Sequence, residues 1–389
     1  MRILFLADGR SPIALNWIRH WVERGDEVYL ASTFACAPDL PLQGLDIVPV
    51  AFSGMKPASA SEYRSRSIHW SARTLHLRTV IRQWIGPLTL PRAARHLRGI
   101  VEQVRPDLVH AMRIPYEGML AALAVRDLPL IISVWGNDFT LHALSSPLMA
   151  YHTRRAVRSA AALHVDCRRD ARLAQQWGFP VDHPTLVVPG NGGVRTDTFY
   201  PSKKPVERPL VINPRGFRAY VRNDTFFRSI PLVLRKRPDA SFLCASMAGE
   251  VEALAWVAKL GIEQSVELLM TVSHAEMAKI FREVQVVVSP STHDGTPNSL
   301  LEGMACGCFP VAGDLESIRE WITPGLNGLL VDPTDPQGLA AAVLAALETP
   351  DLRACAAKKN VRIIAERADY RRCMAQAEEL YRRISKADR

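Results

Sequence analysis

Two acidic residues, Asp294 and Glu302, lie eight positions apart around the predicted start of a helix. The apolar run 286–288 before them predicts a buried strand, and Thr296 and Pro297 are typical of an N-cap and a first helical position. A helix start presents free backbone N–H groups and the positive end of the helix dipole. The segment therefore predicts a phosphate or diphosphate site with a carboxylate on each side to hold hydroxyl groups. A nucleotide-sugar has this order of groups: ribose, diphosphate, sugar.

The composition is that of a globular chain long enough for two domains. Of its 389 residues, 48% are apolar, and the seven cysteines are irregularly spaced without a Cys-x-x-Cys pair. This pattern indicates neither a disulfide framework nor a zinc site, so we expect a reducing, cytoplasmic location. The first apolar run is too short for a signal peptide, and no run approaches the ~20 residues of a membrane span. The net charge of +9 favours anionic partners.

The elements that must position this motif alternate between strands and helices. Residues 1–32 predict a strand, a turn, a helix and a second strand, which is a βαβ unit with a parallel sheet. The breaker-rich stretch around 188–209 predicts a linker between two such halves. Strand candidates are 3–7, 27–32, 45–50, 108–111, 130–134, 162–165 and 185–188 in the first half, and 210–213, 241–245, 265–269, 284–288, 309–312 and 328–331 in the second.

We therefore expect an α/β fold with two doubly wound domains. The predicted boundaries are 1–190 for the N-terminal domain, 191–208 for the linker and 209–365 for the C-terminal domain. The remaining residues, 366–389, predict an amphipathic helix that either stays with the second domain or crosses back to the first.

Several motifs in order give the chain a family resemblance. It resembles the retaining nucleotide-sugar glycosyltransferases of family four, which have two Rossmann-like domains facing each other across a cleft, the GT-B fold. The resemblance spans nearly the whole chain. Its carriers are Ser289-Pro290-Ser291, Asp294-x7-Glu302, 303–307, Pro310-Val311 and 327–333, with weaker ones at 105–110, 134–138, 188–192 and 199–201.

The resemblance implies a donor site in the second half. Asp294 stands where the family has glutamate and would hold a hydroxyl of the donor sugar, while Glu302 would hold the ribose. Arg215 matches a diphosphate-binding arginine, and Arg222 is the nearest candidate where the family has a lysine; arginine and lysine are not interchangeable there. The backbone amides expected to meet the diphosphate are those of Gly295, Thr296, Asn298 and Ser299.

In the first half, the resemblance implies an acceptor side. Gly9 lies in a turn that the family places near the donor phosphate, and an ordinary βα turn is an equal alternative. Arg10 could meet an anionic acceptor. Trp135 stands where many relatives have a histidine, so Asp138 becomes the acid expected to orient substrate hydroxyls, with a helix N-cap as the alternative. His110 ends a strand and either points into the cleft or is a satisfied core histidine.

The chemistry implied needs no metal or other cofactor. The chain contains no Asp-x-Asp motif, and arginines with a helix dipole can neutralise the leaving diphosphate. The resemblance implies retention of the anomeric configuration, with the leaving group itself able to take the acceptor proton. The residues expected closest to the reacting groups are Asp138, Asp294 and Arg215.

A basic stretch at 64–98 contains eight arginines and no acid, interleaved with apolar residues such as Ile81 and Trp84. One hypothesis is a helix that lies on an anionic membrane surface. The alternative is a helix whose apolar face packs on the sheet and whose arginines are solvated. Nucleic-acid binding is not expected, because no recognition module accompanies the basic residues.

The function predicted is transfer of a sugar from a UDP- or GDP-sugar to a glycan or lipid-linked acceptor, in cell-surface polysaccharide or glycolipid synthesis. The protein would be cytoplasmic, and peripheral on the inner face of the membrane if the basic stretch binds lipid. Two alternatives are a nucleotide-sugar 2-epimerase, which shares the fold, and a non-catalytic scaffold that binds nucleotide-sugars.

Overall fold

The computed structural model describes residues 1–53, 80–204, 206–218 and 220–387. The chain forms two compact units. The first contains Met1–Gly192 together with Met374–Arg389, and the second contains Gly193–Cys373. The part of the basic stretch between residues 64 and 79 lies outside the described residues.

Unit 1 is built on a seven-stranded parallel sheet with strand order β3-β2-β1-β4-β5-β6-β7. The strands at the centre of this sheet are buried on both faces, as expected where helices cover a parallel sheet. Because β1 pairs with both β2 and β4, the strand order reverses beside β1. The strands are β1 Arg2–Ala7, β2 Glu27–Ser32, β3 Gly44–Ile47, β4 Leu108–Ala111, β5 Leu130–Val134, β6 Ala162–Val165 and β7 Thr185–Val187.

The helices of unit 1 follow local capping signals. Ser11 caps the first helix by accepting a hydrogen bond from the Ala14 amide, and Pro12 occupies the first turn. The helices are α1 Pro12–Glu23, α2 Leu90–Val104, α3 Met119–Ala124, α4 Pro147–Ser159 and α5 Arg168–Gln176, with a helical segment at 80–85 and single turns at Gly86–Thr89, Ile114–Gly118 and Asp138–His142.

Unit 2 is built on a six-stranded parallel sheet with strand order β10-β9-β8-β11-β12-β13. The strands are β8 Leu210–Asn213, β9 Ser241–Cys244, β10 Val266–Leu268, β11 Val286–Ser289, β12 Phe309–Gly313 and β13 Leu329–Val331. The helices are α6 Asn223–Leu234, α7 Val251–Leu260, α8 His274–Phe281, α9 Asn298–Ala305, α10 Glu316–Arg319, α11 Pro336–Glu348, α12 Pro350–Arg367 and α13 Tyr370–Ala387. Among the described helices, none combines the length and the hydropathy needed to span a bilayer.

These two helix-covered parallel sheets confirm the predicted α/β class with two Rossmann-like domains. Residues 193–204 and 206–208, which the sequence predicts to be a linker, belong to unit 2. The Val194 amide donates to the Ala368 carbonyl at 2.7 Å, and the Tyr370 amide donates to the Val194 carbonyl at 2.9 Å. These bonds tie the start of unit 2 to the junction between α12 and α13.

Helix α13 begins in unit 2, and from Met374 onward it belongs to unit 1. There its Tyr381 ring stacks on Trp21 with centroids 3.9 Å apart, and the Trp17 Nε1–H donates to the Tyr381 oxygen at 3.0 Å. Tyr381 also contacts His110 Nδ1. The helix is therefore part of the core of unit 1.

A buried chain of hydrogen bonds continues from Tyr381 across the sheet. His110 Nε2 and His164 Nδ1 each lie 2.8 Å from the Ser133 hydroxyl oxygen, and His164 Nε2 lies 3.2 Å from the Val188 carbonyl. A carbonyl only accepts and an indole N–H only donates, so every proton in this chain points the same way. Both histidines are then neutral, and burial lowers the pKa of His164 to about 4 and that of His110 well below its usual value.

Tyr381→Phe should destabilise unit 1, because the ring stacking is kept while the Trp17 N–H and His110 lose a buried partner. We expect a loss of about 1–3 kcal/mol in the free energy of unfolding, measured by urea denaturation followed through tryptophan fluorescence. Arg382→Gln is the control, since its surface ion pair with Glu379 is worth about 0–1 kcal/mol. Equal urea midpoints for Tyr381→Phe and the wild type would contradict this account.

Candidate active site

The predicted phosphate segment of unit 2 lies between β11 and α9. The strand residues Val286–Ser289 are buried, and Gly303 lets α9 approach the sheet closely, because a Cβ there would lie 3.1 Å from a Val287 methyl. The helix begins at Asn298, with Pro297 as its N-cap rather than Thr296. The expected cap was wrong because Pro297 is still extended (ψ 109°), and the Thr296 hydroxyl instead accepts from Trp321 Nε1 at 3.1 Å.

The first-turn amides of α9 belong to Asn298 and Ser299. The amides of Leu300 and Leu301 donate to the Pro297 carbonyl. The amides of Asn298 and Ser299 come before them, where a helix has no carbonyl of its own to accept their hydrogen bonds. The Gly295 amide donates to the Asp294 carboxylate at 3.1 Å. The segment thus offers an anion-binding helix start beside a carboxylate.

Arg215 and Asp294 form an ion pair at this place. Arg215 follows β8, where its amide donates to the Asn213 side chain at 3.1 Å, and its guanidinium contacts the Asp294 carboxylate and lies 3.4 Å from the Tyr220 hydroxyl. Both charged side chains are mostly buried. The predicted diphosphate-binding cation and the predicted sugar-binding acid are thus neighbours before a ligand arrives.

Glu302 lies one turn into α9 with only 7% of its surface exposed. Burial raises the pKa of its carboxyl from 4.5 to about 7. A carboxylate at this position costs free energy until hydroxyl donors solvate it. Hydroxyl groups of the predicted ribose would be such donors.

Arg222 lies at the N-cap of α6, and its guanidinium is directed to Asp224, with two contacts at 2.8 and 2.7 Å. The Asp224 carboxylate also raises the pKa of Arg222. The structure therefore brings together Arg215, Asp294 and the start of α9, while the Arg222 side chain is engaged elsewhere.

Unit 1 contains a cavity of about 380 Å³ at the carboxyl ends of β1, β4 and β5. It is lined by cations and aromatic rings, including Arg10, Arg82, Arg113, Phe34, Tyr116 and Trp135. This volume is within the range of small-molecule sites. The cavity suits a ligand with a ring and polar or negatively charged groups.

Two of the cavity arginines are held by carboxylates. Arg10 forms two contacts of 2.9 Å with Asp8, and its guanidinium carbon lies 3.7 Å from the Phe34 ring centroid. Arg113 donates to Asp138 at 2.9 Å and lies 5.6 Å from the Trp135 ring. These contacts fix the guanidinium planes against aromatic faces.

Asp138 is buried and does not line the cavity. Its carboxylate accepts from Arg113, from the Ile114 amide at 3.2 Å and from the Trp135 amide at 3.1 Å. Burial raises its pKa, while these donors and the Arg113 charge favour the ionised form. The geometry makes Asp138 a residue that positions Arg113 and Trp135.

The other predicted residues of unit 1 divide between cavity and core. Gly9 is buried, and a Cβ there would lie 2.4 Å from Cys36 Sγ, so a larger residue would displace the Cys36 side chain. Trp135 lines the cavity, whereas His110 is wholly buried with both ring nitrogens engaged in the hydrogen-bond chain through Ser133. The position of His110 favours the core alternative.

Sequence reasoning missed Arg82, Arg113 and Glu117, which line the same cavity. The Glu117 carboxyl accepts from the Thr33 hydroxyl at 2.6 Å, and burial raises its pKa. The sequence could have indicated two of them, because Arg113 and Glu117 follow β4. Ligand-binding side chains are common at the carboxyl ends of parallel strands.

Comparisons with known proteins agree with this arrangement. The family model "Glycosyl transferase 4-like domain" matches residues 9–191, and "Glycosyl transferases group 1" matches residues 216–349. The chain belongs to the group 1 glycosyl transferases. The matched regions of this glycosyl transferase contain the residues that line the unit 1 cavity, except Asp8, and the donor-site candidates Asp294 and Glu302. Arg215 lies one residue before the second region.

Curated relatives carry related names. A D-inositol 3-phosphate glycosyltransferase of Thermobispora bispora is 27% identical over 209 residues, covering 49% of this chain and 48% of that protein. One of Geodermatophilus obscurus is 32% identical over 111 residues, covering 28% and 24%. The glycosyl transferase chain thus spans about half or less of the length of these relatives.

Solved structures share the fold over the whole chain. Sucrose-phosphate synthase from Thermosynechococcus elongatus matches with a TM-score of 0.73 at 14% identity, covering 100% of both chains. Anabaena HepE in complex with UDP-glucose matches with a TM-score of 0.72 at 16% identity, covering 97% of this chain and 98% of that one. At these identities the likeness confirms the GT-B fold of the glycosyl transferase.

Glu302→Gln should make the protein more stable at pH 8 but not at pH 4. The folded-state pKa of about 7 exceeds the ordinary 4.5, so stability is fully present below pH 4.5 and falls as pH rises through 7. The wild type should lose about 3 kcal/mol in the free energy of unfolding between pH 4 and pH 8, and the Glu302→Gln variant should not lose it. Unfolding free energies from pH 4 to 8 test this, with exposed Glu263→Gln as the control. If Glu302→Gln and the wild type show the same dependence of unfolding free energy on pH, the pKa of Glu302 is not raised.

Proposed function

We propose that this chain is a retaining glycosyltransferase that moves a sugar from a UDP- or GDP-sugar to an acceptor hydroxyl. The observation that carries the proposal is the grouping of Arg215, Asp294 and the start of α9, with the mostly buried Glu302 carboxyl one turn along the same helix. A diphosphate fits between a cation and a helix start, and hydroxyl groups fit the two carboxylates.

Each donor group then has a role. Glu302 accepts hydrogen bonds from the ribose hydroxyls, which solvate its buried charge. The diphosphate takes the Arg215 guanidinium away from Asp294 and meets the amides of Gly295, Thr296, Asn298 and Ser299. Asp294, released from Arg215, accepts from a hydroxyl of the donor sugar; its shorter side chain changes that reach by one methylene relative to glutamate.

The reaction is proposed to proceed on one face of the sugar. The acceptor oxygen bonds to the anomeric carbon while the bond from that carbon to the diphosphate oxygen breaks, and the acceptor proton moves to the leaving diphosphate. Arg215 and the α9 dipole stabilise the negative charge that develops there, so no metal is required. Arg222, turned to Asp224, is proposed to act only if it leaves that carboxylate on donor binding.

The acceptor is proposed to bind in the unit 1 cavity, with Asp138 positioning Arg113 and Trp135. A glycan or lipid-linked acceptor in polysaccharide or glycolipid synthesis fits a cytoplasmic or membrane-bound enzyme. The name of the curated relatives indicates an acceptor of another kind for those proteins, a phosphorylated cyclic polyol.

An anionic membrane is the proposed surface partner. Trp84 and Leu88, in and just after the helical segment 80–85, are 54% and 65% exposed. The Ser146 hydroxyl donates to the Gln83 carbonyl at 2.8 Å, which brings the loop of Leu144 to this segment. Leu144 is 71% exposed. The following helix α2 exposes basic residues such as Arg92. Apolar and basic side chains together are typical of a membrane-interface surface.

The membrane proposal predicts co-flotation of the protein with phosphatidylglycerol vesicles and none with phosphatidylcholine vesicles. Trp84→Ser with Leu88→Ser should reduce the floated fraction several-fold, since each removes apolar area from the interface. Leu254→Ser, at a residue 52% exposed in unit 2, is the matched control and should float like the wild type. Wild-type protein that stays with the soluble fraction would sink the proposal.

The donor proposal predicts that UDP or GDP raises the melting temperature of the wild type, since ligand binding to the folded state stabilises it. Arg215→Gln should abolish this shift, because the neutral amide lacks the positive charge that pairs with Asp294 in the free protein and with the diphosphate in the complex. Arg235→Gln, at an exposed position just after α6, should keep it. A folded Arg215→Gln protein with the full shift and full transfer activity would contradict the assignment.

A further inference from the structure

Three arginines, Arg10, Arg82 and Arg113, line the unit 1 cavity. Arg10 is paired with Asp8, and Arg113 with Asp138. Arg82 lies on the same wall, and within the described part of the chain it has no ion pair. Its guanidinium carbon is 5.2 Å from the ring centroids of both Phe34 and Tyr116. The cavity therefore holds one cation supported by aromatic rings instead of by an acid.

The remaining titratable groups of the cavity form no ion pair with Arg82 among the described residues. The Glu117 carboxyl instead accepts from the Thr33 hydroxyl at 2.6 Å, and burial raises its pKa. Burial, with the nearby charges of Arg113 and Arg82, lowers the pKa of His142 to about 3, so its ring is neutral. A guanidinium without an ion-pair partner in a partly enclosed site attracts an anion.

We propose that the cavity binds a negatively charged group of the acceptor, a phosphate or a carboxylate, with Arg82 as its principal counter-charge. The inference rests on the proposed transferase function and names the acceptor class. The acceptor would place its ring among Phe34, Tyr116 and Trp135 and its anionic group on the guanidinium of Arg82, with Arg10 and Arg113 on either side.

The geometry prepares Arg82 for this role before the ligand arrives. A guanidinium that lies against aromatic faces keeps its in-plane N–H groups directed outward, and such N–H groups form paired hydrogen bonds with phosphate or carboxylate oxygens. The Tyr116 hydroxyl also contacts the Arg82 carbonyl, which fixes the backbone of this residue. The cavity volume of about 380 Å³ admits one substituted ring.

The same anionic group can come from a soluble sugar phosphate or sugar acid, or from a lipid headgroup. The helical segment that directs Arg82 to the cavity exposes Trp84 and Ile85 to the surroundings. If this segment lies on a membrane surface, a lipid headgroup can also reach Arg82. Both sources share the chemistry that Arg82 recognises.

Calorimetric titration of the full chain tests the inference with glucose 6-phosphate, glucuronate and a short-chain, water-soluble phosphatidylglycerol, against glucose as the neutral reference. At least one charged probe should bind roughly tenfold or more tightly than glucose, and Arg82→Gln should remove that difference. Arg82→Lys should restore part of it, because a point charge lacks the paired geometry. Arg126→Gln, at an exposed position just after α3, should bind as the wild type does.

Binding of the sugar phosphate or the sugar acid supports a soluble acceptor, and binding of the phosphatidylglycerol alone supports a lipid headgroup. The inference is overturned if no charged probe binds more tightly than glucose, or if a folded Arg82→Gln protein binds them like the wild type. Titrations of the same samples with UDP and GDP distinguish the acceptor inference from the proposed donor site. Absent binding of the charged probes with intact UDP or GDP binding refutes only the acceptor inference. Absent UDP and GDP binding refutes the proposed donor site.

Discussion

In a parallel sheet covered by helices, the loops at the carboxyl ends of the strands are the places where free backbone groups and charged side chains can meet a ligand. Both units obey this constraint. In unit 1, Arg10 follows β1, Arg113 follows β4 and Trp135 follows β5; in unit 2, Arg215 follows β8 and Asp294 follows β11. The strand order makes these ends neighbours within their own sheet.

The buried acids at these edges have different electrostatic surroundings, and the difference indicates their roles. Asp138 accepts three hydrogen bonds, so its charge is satisfied inside the protein and serves to hold other groups. Glu302 owes its raised pKa to burial. A buried group whose charged form lacks compensation lowers stability, and such groups persist where a ligand supplies the missing partners. The contrast favours a structural carboxylate in unit 1 and a ligand-binding one in unit 2.

Local sequence signals predicted the strand, loop and helix around Asp294 and Glu302, because these elements are consecutive in the chain. The helix start shifted to Asn298 because the backbone is extended at Pro297, a detail that propensity does not determine. The unit 1 cavity was harder to predict, since Arg82 and Glu117 meet only through tertiary packing. Arg82 lies within a stretch whose composition predicted a membrane-facing or solvated helix. His110 ends a buried strand, and only its contacts with Ser133 and Tyr381 distinguish a core residue from a cleft residue.

The start of α9 and Glu302 are proposed to bind the nucleoside diphosphate part of a sugar donor. Amide hydrogen exchange measured by mass spectrometry, with and without UDP-glucose or GDP-mannose, tests it directly. The account predicts slower exchange in peptides covering 294–305 with at least one of these donors, and no comparable change in peptides of α7, which carries no site residue. Unchanged exchange across 294–305 at saturating concentrations of both donors would contradict it.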